Sequence, residues 1–277
     1  MTLSSPSRSP SSLPSRPQIS RLWRVLSLPM LAYIILPLLA LFLRISPEQL
    51  VANLQEPNVL RAIGLSLTTT IVSTLLIILG GTPLAYAHAR RQFRFGRLID
   101  TLIDLPLVLP PAVAGVALLM AFGRRGLLGG WLDLLGVQVG FTTIAVIMAQ
   151  VFVAAPFYIK SAALGFASLD RELELAASLD GASSWQIFRF VTMPLSWSAL
   201  LGGSVMSWAR ALGEFGATII FAGNFPGRTQ TMPLAIYIGF ELDLDIALTL
   251  SVILILFSFL ALLIAKGILH RDWMVTG

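Results

Sequence analysis

Few residues in this chain are equipped for chemistry, and most of them sit inside apolar runs. Arg210 and Glu214 stand four apart in WARALGEFGATIIFAG. That spacing puts them on one helix face, where they can pair. Charges within an apolar span are costly and normally face the protein interior or water. Two roles are open: a structural lock between spans, including one across a dimer, or a positive potential on Arg210 for an anion, tuned by Glu214. Gly213 and Gly216 allow close helix approach. Ser66, Thr68, Thr69, Thr70, Ser73 and Thr74 crowd the start of another apolar run. Such hydroxyls bond their own backbone or line interfaces and wet cavities, so Ser66 and Thr69 are candidates for an interface or a translocation path. Pro106, Pro110 and Pro111, followed by Gly115, interrupt a third run. Each proline removes a backbone donor and disrupts the bond to the residue four earlier. That segment must be buried among other spans or border a wet cavity. A structural kink and a transport path, with Pro110 at its bend, both fit.

Other chemistry is excluded by what the sequence lacks. A phosphate-binding loop needs G-x4-G-K-[ST], because backbone amides cradle the phosphates and the lysine reaches the terminal ones. Here Lys160 follows Ile159 and Lys266 follows Ala265. The chain cannot hydrolyse ATP by that route. There is no cysteine, hence no disulfide, thiol chemistry or cysteine-held metal. His88 and His270 are the two histidines, and both fall at expected helix ends. No HExxH or GxSxG occurs. Acids within spans are essentially Glu214, with Asp100 and Asp104 near the end of one, too few for the relay of a proton-driven carrier. The expectation is a chain that is not an enzyme and binds neither metal nor cofactor.

The elements that hold these groups follow from composition. Of 277 residues, 56% are hydrophobic and 12% charged, against about 25% charged in soluble domains; the mean hydropathy is +0.83. This is an all-α integral membrane protein. The net charge of +5 comes from residues scattered at helix ends rather than gathered with aromatics, so nucleic acid is not an expected partner. A span needs about 20 apolar residues. Six runs qualify: 25–43, 63–87, 98–122, 141–163, 195–222 and 244–268. Gly80, Gly81 and Pro83 should distort the end of the second. Residues 1–21, rich in Ser, Pro and Arg, read as a disordered tail. Residues 22–277 read as one bundle domain, its first run a retained span rather than a signal peptide.

Lysine and arginine set the orientation. With the N-terminus inside, the inner segments hold Arg8, Arg16, Arg21, Arg24, Arg90, Arg91, Arg94, Arg97, Lys160, Arg171, Arg189, Lys266 and Arg271, thirteen in all. The outer segments hold five: Arg44, Arg61, Arg124, Arg125 and Arg228. Both termini are therefore expected in the cytoplasm, and with them the loop 168–194.

That loop carries a polar helical pattern between long apolar runs, Asp170–Pro194, DRELELAASLDGASSWQIFRFVTMP. Asp170 stands at an N-cap, with Glu172 and Glu174 in the first turn, where the helix dipole favours negative charge. Gly181 suits the left-handed residue that ends a helix. Ser183 and Gln186 have capping-box spacing, and Pro194 is expected to stop the second helix. Two short helices joined at a glycine lie on a membrane surface.

This loop resembles the cytoplasmic EAA loop of ABC importer permeases, roughly E-A-A-x3-G-x9-I-x-L-P. Ala176, Ala177, Gly181 and Pro194 match, and Val191 and Met193 are close substitutes. Leu175 stands at the motif's glutamate, with Glu174 one residue earlier. LPLVLPPAVAG resembles the corresponding helix of molybdate- and sulfate-type permeases, and Ala209–Tyr237 resembles the same region of molybdate-transport permeases. The resemblance implies the type I ABC importer permease fold, with about six transmembrane helices and cytoplasmic coupling helices. It implies a homodimer in the bacterial inner membrane and two separate ATPase subunits that carry ATP and Mg. An extracytoplasmic oxyanion-binding protein would deliver the cargo, molybdate first, with sulfate or tungstate as alternatives. It assigns ATPase coupling to Glu172, Glu174, Ala176, Ala177, Gly181, Ala182, Trp185 and Phe188. An ion-gradient-driven anion carrier is the rival of another class.

Overall fold

Helices are the only regular elements among the described residues, as hydrocarbon requires of a chain that must satisfy its backbone within each segment. The structure, a computed structural model, describes residues 19–275, with side-chain surroundings for 23–267. The tail expected over 1–21 lies outside the described residues up to residue 18; from Ile19 the chain is helical.

The chain divides into two units, Met1–Arg44 and Ile45–Gly277. The first contains helix α1 (Ile19–Arg44), which runs through Pro29 and Pro37. The second opens with α2 (Pro47–Asn53), started by a capping box between Ser46 and Gln49. There follow α3 (Pro57–Ala89), α4 (Gly96–Val108), α5 (Pro111–Phe122), α6 (Gly129–Leu134) and α7 (Thr143–Ala167). A polar hairpin comes next: α8 (Arg171–Leu179), α9 (Ser184–Ile187), a π-helical turn (Phe188–Thr192) and α10 (Met193–Leu195). The chain ends in α11 (Trp197–Leu212), α12 (Gly216–Phe221), α13 (Met232–Leu242) and α14 (Leu244–Val275).

Two of the six expected runs are not continuous helices: the third breaks at its prolines, as their chemistry implied, and the fifth breaks where no break was expected. Four helices, α1, α3, α7 and α14, are long and apolar enough to cross a membrane unbroken. The third expected span is α4 and α5, bent by 115° at Leu109–Pro110. Two successive prolines leave no N–H to continue the helix. The fifth, 195–222, breaks at Gly213–Phe215 into α11 and the six-residue α12. Helix α3, by contrast, continues through Gly80, Gly81 and Pro83. Helix α13 had no place in the span count. It is too short to cross, and it lies along α14 with Gly239 against Ala247.

Helix α7 is the centre of the second unit, with α3 and α11 packed along it. Tyr158, Ile159, Ala162 and Phe166 of α7 join Ile77 and Ala85 of α3 and Leu200 and Ala211 of α11 in one buried cluster. A small residue sets the α7–α11 distance: a Cβ on Gly203 would lie 2.7 Å from the Ser161 Cβ, the close approach that membrane helices use where lipid gives no hydrophobic drive. A second cluster joins α5, α7 and α12 through Ala114, Leu118, Val146, Val153 and Phe221. A third joins α3, α11, α13 and α14 through Val59, Leu212, Met232 and Leu250.

Candidate translocation site and coupling surface

The two broken spans meet at their breaks. A Cβ on Gly216, the first residue of α12, would lie 2.6 Å from the Cβ of Pro111, the first residue of α5. One turn further, a Cβ on Gly115 would lie 2.8 Å from both the Ala217 carbonyl oxygen and the Ile220 Cβ. Helices α5 and α12 thus lie side by side from one shared level, with glycine on each side where the other's backbone approaches.

Arg210 and Glu214 stand beside this junction. The guanidinium Nη2 lies 3.0 Å from the carboxylate Oε2, with side-chain exposure of 29% for Arg210 and 1% for Glu214. Their pairing agrees with the four-residue spacing, but not through a continuous helix: α11 ends at Leu212, and Glu214 lies in the break. Its other oxygen accepts from the Ala217 N–H at 2.8 Å. The carboxylate therefore satisfies both the cation of α11 and an orphan donor of α12, which is what a helix break needs to persist in a low-dielectric interior.

Most of the α3 hydroxyls are consumed by structure. Thr69, Thr70 and Thr74 donate to carbonyls one turn back. Ser66 accepts from the Met232 N–H at 2.7 Å, closing the start of α13. Ser73 donates to Gln150 Oε1 at 2.9 Å, and Gln150 Nε2 donates to Thr69 at 3.2 Å. Ser66, Thr69, Ser73 and Gln150 are all buried, so in this conformation they form an interface between α3, α7 and α13. Gln150 was not singled out from sequence; a lone amide in the middle of an apolar run was the available signal.

Pro110 and Pro111 are exposed in the single chain. Lacking N–H groups, they leave the carbonyls of Pro106 and Leu107 without helical donors.

The hairpin α8–α9 has the local geometry its residues dictate. Asp170 Oδ1 accepts from the Glu172 N–H at 3.0 Å. Gly181 takes φ +85°. Ser183 and Gln186 form both halves of a capping box. Pro194 does not end the helix. The π-helical turn before it widens the backbone, and the chain runs on through α10 into α11; the wider turn accommodates a residue that can neither donate nor tolerate the carbonyl four earlier.

The residues assigned to this hairpin fall on two sides. Glu172, Ala176, Gly181 and Trp185 are exposed, Trp185 at 66%, while Ala177 and Ala182 are half-buried. Glu174 turns inward: Oε1 accepts from Arg90 Nη2 and from the Thr192 hydroxyl. Phe188 packs edge-on against Tyr86, with centroids 5.1 Å apart, and lies 6.2 Å from Phe166; Trp185 stacks on its outer side at 5.7 Å. The partners Arg90 and Thr192 were missed by sequence reasoning.

The fold and these sites define an all-helical, multi-pass membrane protein whose broken spans meet at their breaks. Residues 77–271 match the family described as "Binding-protein-dependent transport system inner membrane component". The chain is 40% identical over 208 residues to the molybdenum transport system permease protein ModB of Mycobacterium bovis, across 75% of this chain and 79% of that protein. It is 36% identical over 220 residues to the sulfate transport system permease protein CysW of Escherichia coli, across 77% and 76%. The solved structure of a bacterial alginate ABC transporter in complex with an alginate pentasaccharide-bound periplasmic protein superposes with a TM-score of 0.68 at 18% identity, over 93% of this chain and 96% of that one. The chain belongs to the family of inner membrane components of binding-protein-dependent transport systems, and is an ABC importer permease subunit.

Proposed function

We propose that this chain forms the translocation path of an importer for a tetrahedral oxyanion, molybdate first. The observation that carries the pathway is the junction of two broken spans at Pro111 and Gly216, with Arg210 and Glu214 beside it. Broken helices at membrane depth occur where backbone is covered by protein or lines water. The exposed bend at Pro110 therefore needs a cover other than lipid, which supports a second copy of the chain around a shared path. The permease relatives named for molybdenum support the choice of cargo, and the sulfate permease CysW supports sulfate as the second reading.

In this reading two ATPase chains, which hold ATP and Mg, dock on the exposed side of the α8–α9 hairpin through Ala176, Gly181 and Trp185. Glu174 and Phe188 connect the hairpin to α3 and α7. The hairpin and both termini face the cytoplasm, and an extracytoplasmic binding protein delivers the anion to the opposite end. Closure of the ATPases draws the hairpins together and swings the spans between inward-open and outward-open states. Nucleotide and the loaded binding protein bias the same equilibrium because each binds the two states differently. The Arg210–Glu214 pair acts as the lock that holds the break in α11–α12.

The test is uptake into vesicles containing the reconstituted complex, with labelled molybdate and sulfate in competition. ATP-dependent, vanadate-sensitive uptake that unlabelled molybdate suppresses at lower concentration than sulfate is expected. Uptake driven by an ion gradient with nucleotide absent would overturn the mechanism, and a preference for sulfate would overturn the cargo.

A further inference from the structure

A cleft of about 720 Å³ opens between the end of α3, the start of α4 and the end of α7. It lies at the end of the bundle that carries the α8–α9 hairpin, where two long spans reach the membrane surface. Its lining is apolar at Ile103, Ile159, Ala163 and Leu164 and polar at His88, Arg91, Arg97, Asp100 and Lys160.

Three of these groups already have partners. Lys160 is paired with Asp104 at 2.6 Å, and His88 lies 3.5 Å from Asp100. Arg91 and Arg97 have no carboxylate within ion-pair distance among the described residues. Arg91 also holds φ +52°. It sits just beyond the end of α3, in the left-handed position that glycine fills at least cost. A cation here suits the helix dipole, but Arg90 supplies that charge without a left-handed backbone. Arg91, the strained residue, lines the cleft, and Arg90 does not.

We infer that this cleft binds the phosphate headgroup of an anionic phospholipid, with Arg91 and Arg97 on the phosphate and the first acyl carbons against Ile159, Ala163 and Leu164. Guanidinium groups hold phosphate oxygens through paired N–H donors, and basic pockets between spans at the cytoplasmic surface suit anionic headgroups. A free oxyanion dianion fits less well. It gains nothing from the apolar lining, and Asp100 and Asp104 repel it. A singly charged phosphodiester matches two guanidiniums offset by a nearby carboxylate. The inference does not depend on which anion the protein carries.

The test uses the full transporter complex purified from native membrane. Native mass spectrometry is expected to find phosphatidylglycerol or cardiolipin retained on the wild type, reduced at least tenfold by Arg91→Ala with Arg97→Ala. Millimolar molybdate or inorganic phosphate should leave the lipid in place. Equal lipid retention in the variant, or displacement by either free anion, would overturn the assignment. Should the double variant not fold, Ala163→Cys with an attached fluorophore in this cysteine-free chain gives an independent reading. Brominated phosphatidylglycerol should quench it more strongly than brominated phosphatidylcholine; equal quenching would sink the proposal.

Discussion

Arg90, just beyond the end of α3, donates to Glu174 of α8, so the polar hairpin is tied to the membrane bundle by an ion pair between residues 84 apart in sequence. The same carboxylate oxygen accepts from the Thr192 hydroxyl at 2.7 Å, at the far end of the hairpin. Arg90 is held in turn over the ring of Tyr86, 5.5 Å from its centroid, and Tyr86 touches Phe188 and Phe166. One carboxylate thus joins both arms of the hairpin to the helix that packs along α7.

From this follows the first prediction. Glu174→Ala removes an acceptor shared by two donors and leaves Arg90, with 9% side-chain exposure, without its partner. Hydrogen bonds to charged groups contribute about 1.5–3 kcal/mol, and the partial exposure of Glu174 puts the loss at the lower end. ATPase subunits should still co-purify with the variant, because the docking face is intact, while ATP-driven uptake falls several-fold. Loss of co-purification would show that Glu174 belongs to the docking face instead.

Trp185 and Phe188 should separate in the same assay although they stack on each other. Trp185 is largely exposed, so Trp185→Ala should change chain stability by less than about 0.5 kcal/mol yet weaken retention of the ATPase in a pull-down. Phe188→Ala opens a hole against Tyr86 and Phe166. For a half-buried phenylalanine this costs about 2–3 kcal/mol, seen as a lower midpoint of thermal unfolding in detergent. If Trp185→Ala left ATPase retention unchanged, the exposed face would not be the docking face.

The hairpin was legible in the sequence because its signals are local. An N-cap at Asp170, a left-handed Gly181 and a capping box at Ser183 each act within four residues. The identity of Glu174's partner was not legible, because Arg90 reaches it only after α3, α4, α5 and α7 have folded. The same division holds for the breaks. Pro110 and Pro111 announce theirs by chemistry that no fold can undo. Gly213 and Gly216 read as sites of close approach, which Gly216 is; that they also mark a break depends on Pro111 lying against Gly216 and on Glu214 capping α12. Pro194 misled for a related reason, since a π-helical turn relieved the clash that would have stopped the helix. Helix α13 went unseen because its apolar run is too short to count as a span.

The meeting of the two breaks makes a steric prediction. Gly216→Val would force a side chain into Pro111, and Gly115→Val into Ala217 and Ile220. Overpacking of this kind costs about 1–3 kcal/mol, and both variants should unfold at lower temperature. Gly64→Ala on α3 is the control: nothing lies within 4 Å of the added Cβ, and replacing a glycine inside a helix should stabilise by about 0.5–1 kcal/mol. If all three variants melted alike, α5 and α12 would not be in contact in the folded protein.

The Arg210–Glu214 pair distinguishes a lock from an anion-attracting cation by a double substitution. Arg210→Ala alone leaves the buried Glu214 carboxylate with only the Ala217 N–H. Removing one partner of a buried pair costs about 3–5 kcal/mol, and the partial exposure of Arg210 places this case near the lower bound. Arg210→Met together with Glu214→Gln removes the stranded charge while keeping volume and an acceptor for Ala217, so most of the lost stability should return. If the pair serves as a lock, uptake returns with stability, at a reduced rate, in vesicles containing the double variant. A double variant that melts like the wild type but carries no anion would instead place the charged pair on the path of the cargo, since its charges are then what is not restored.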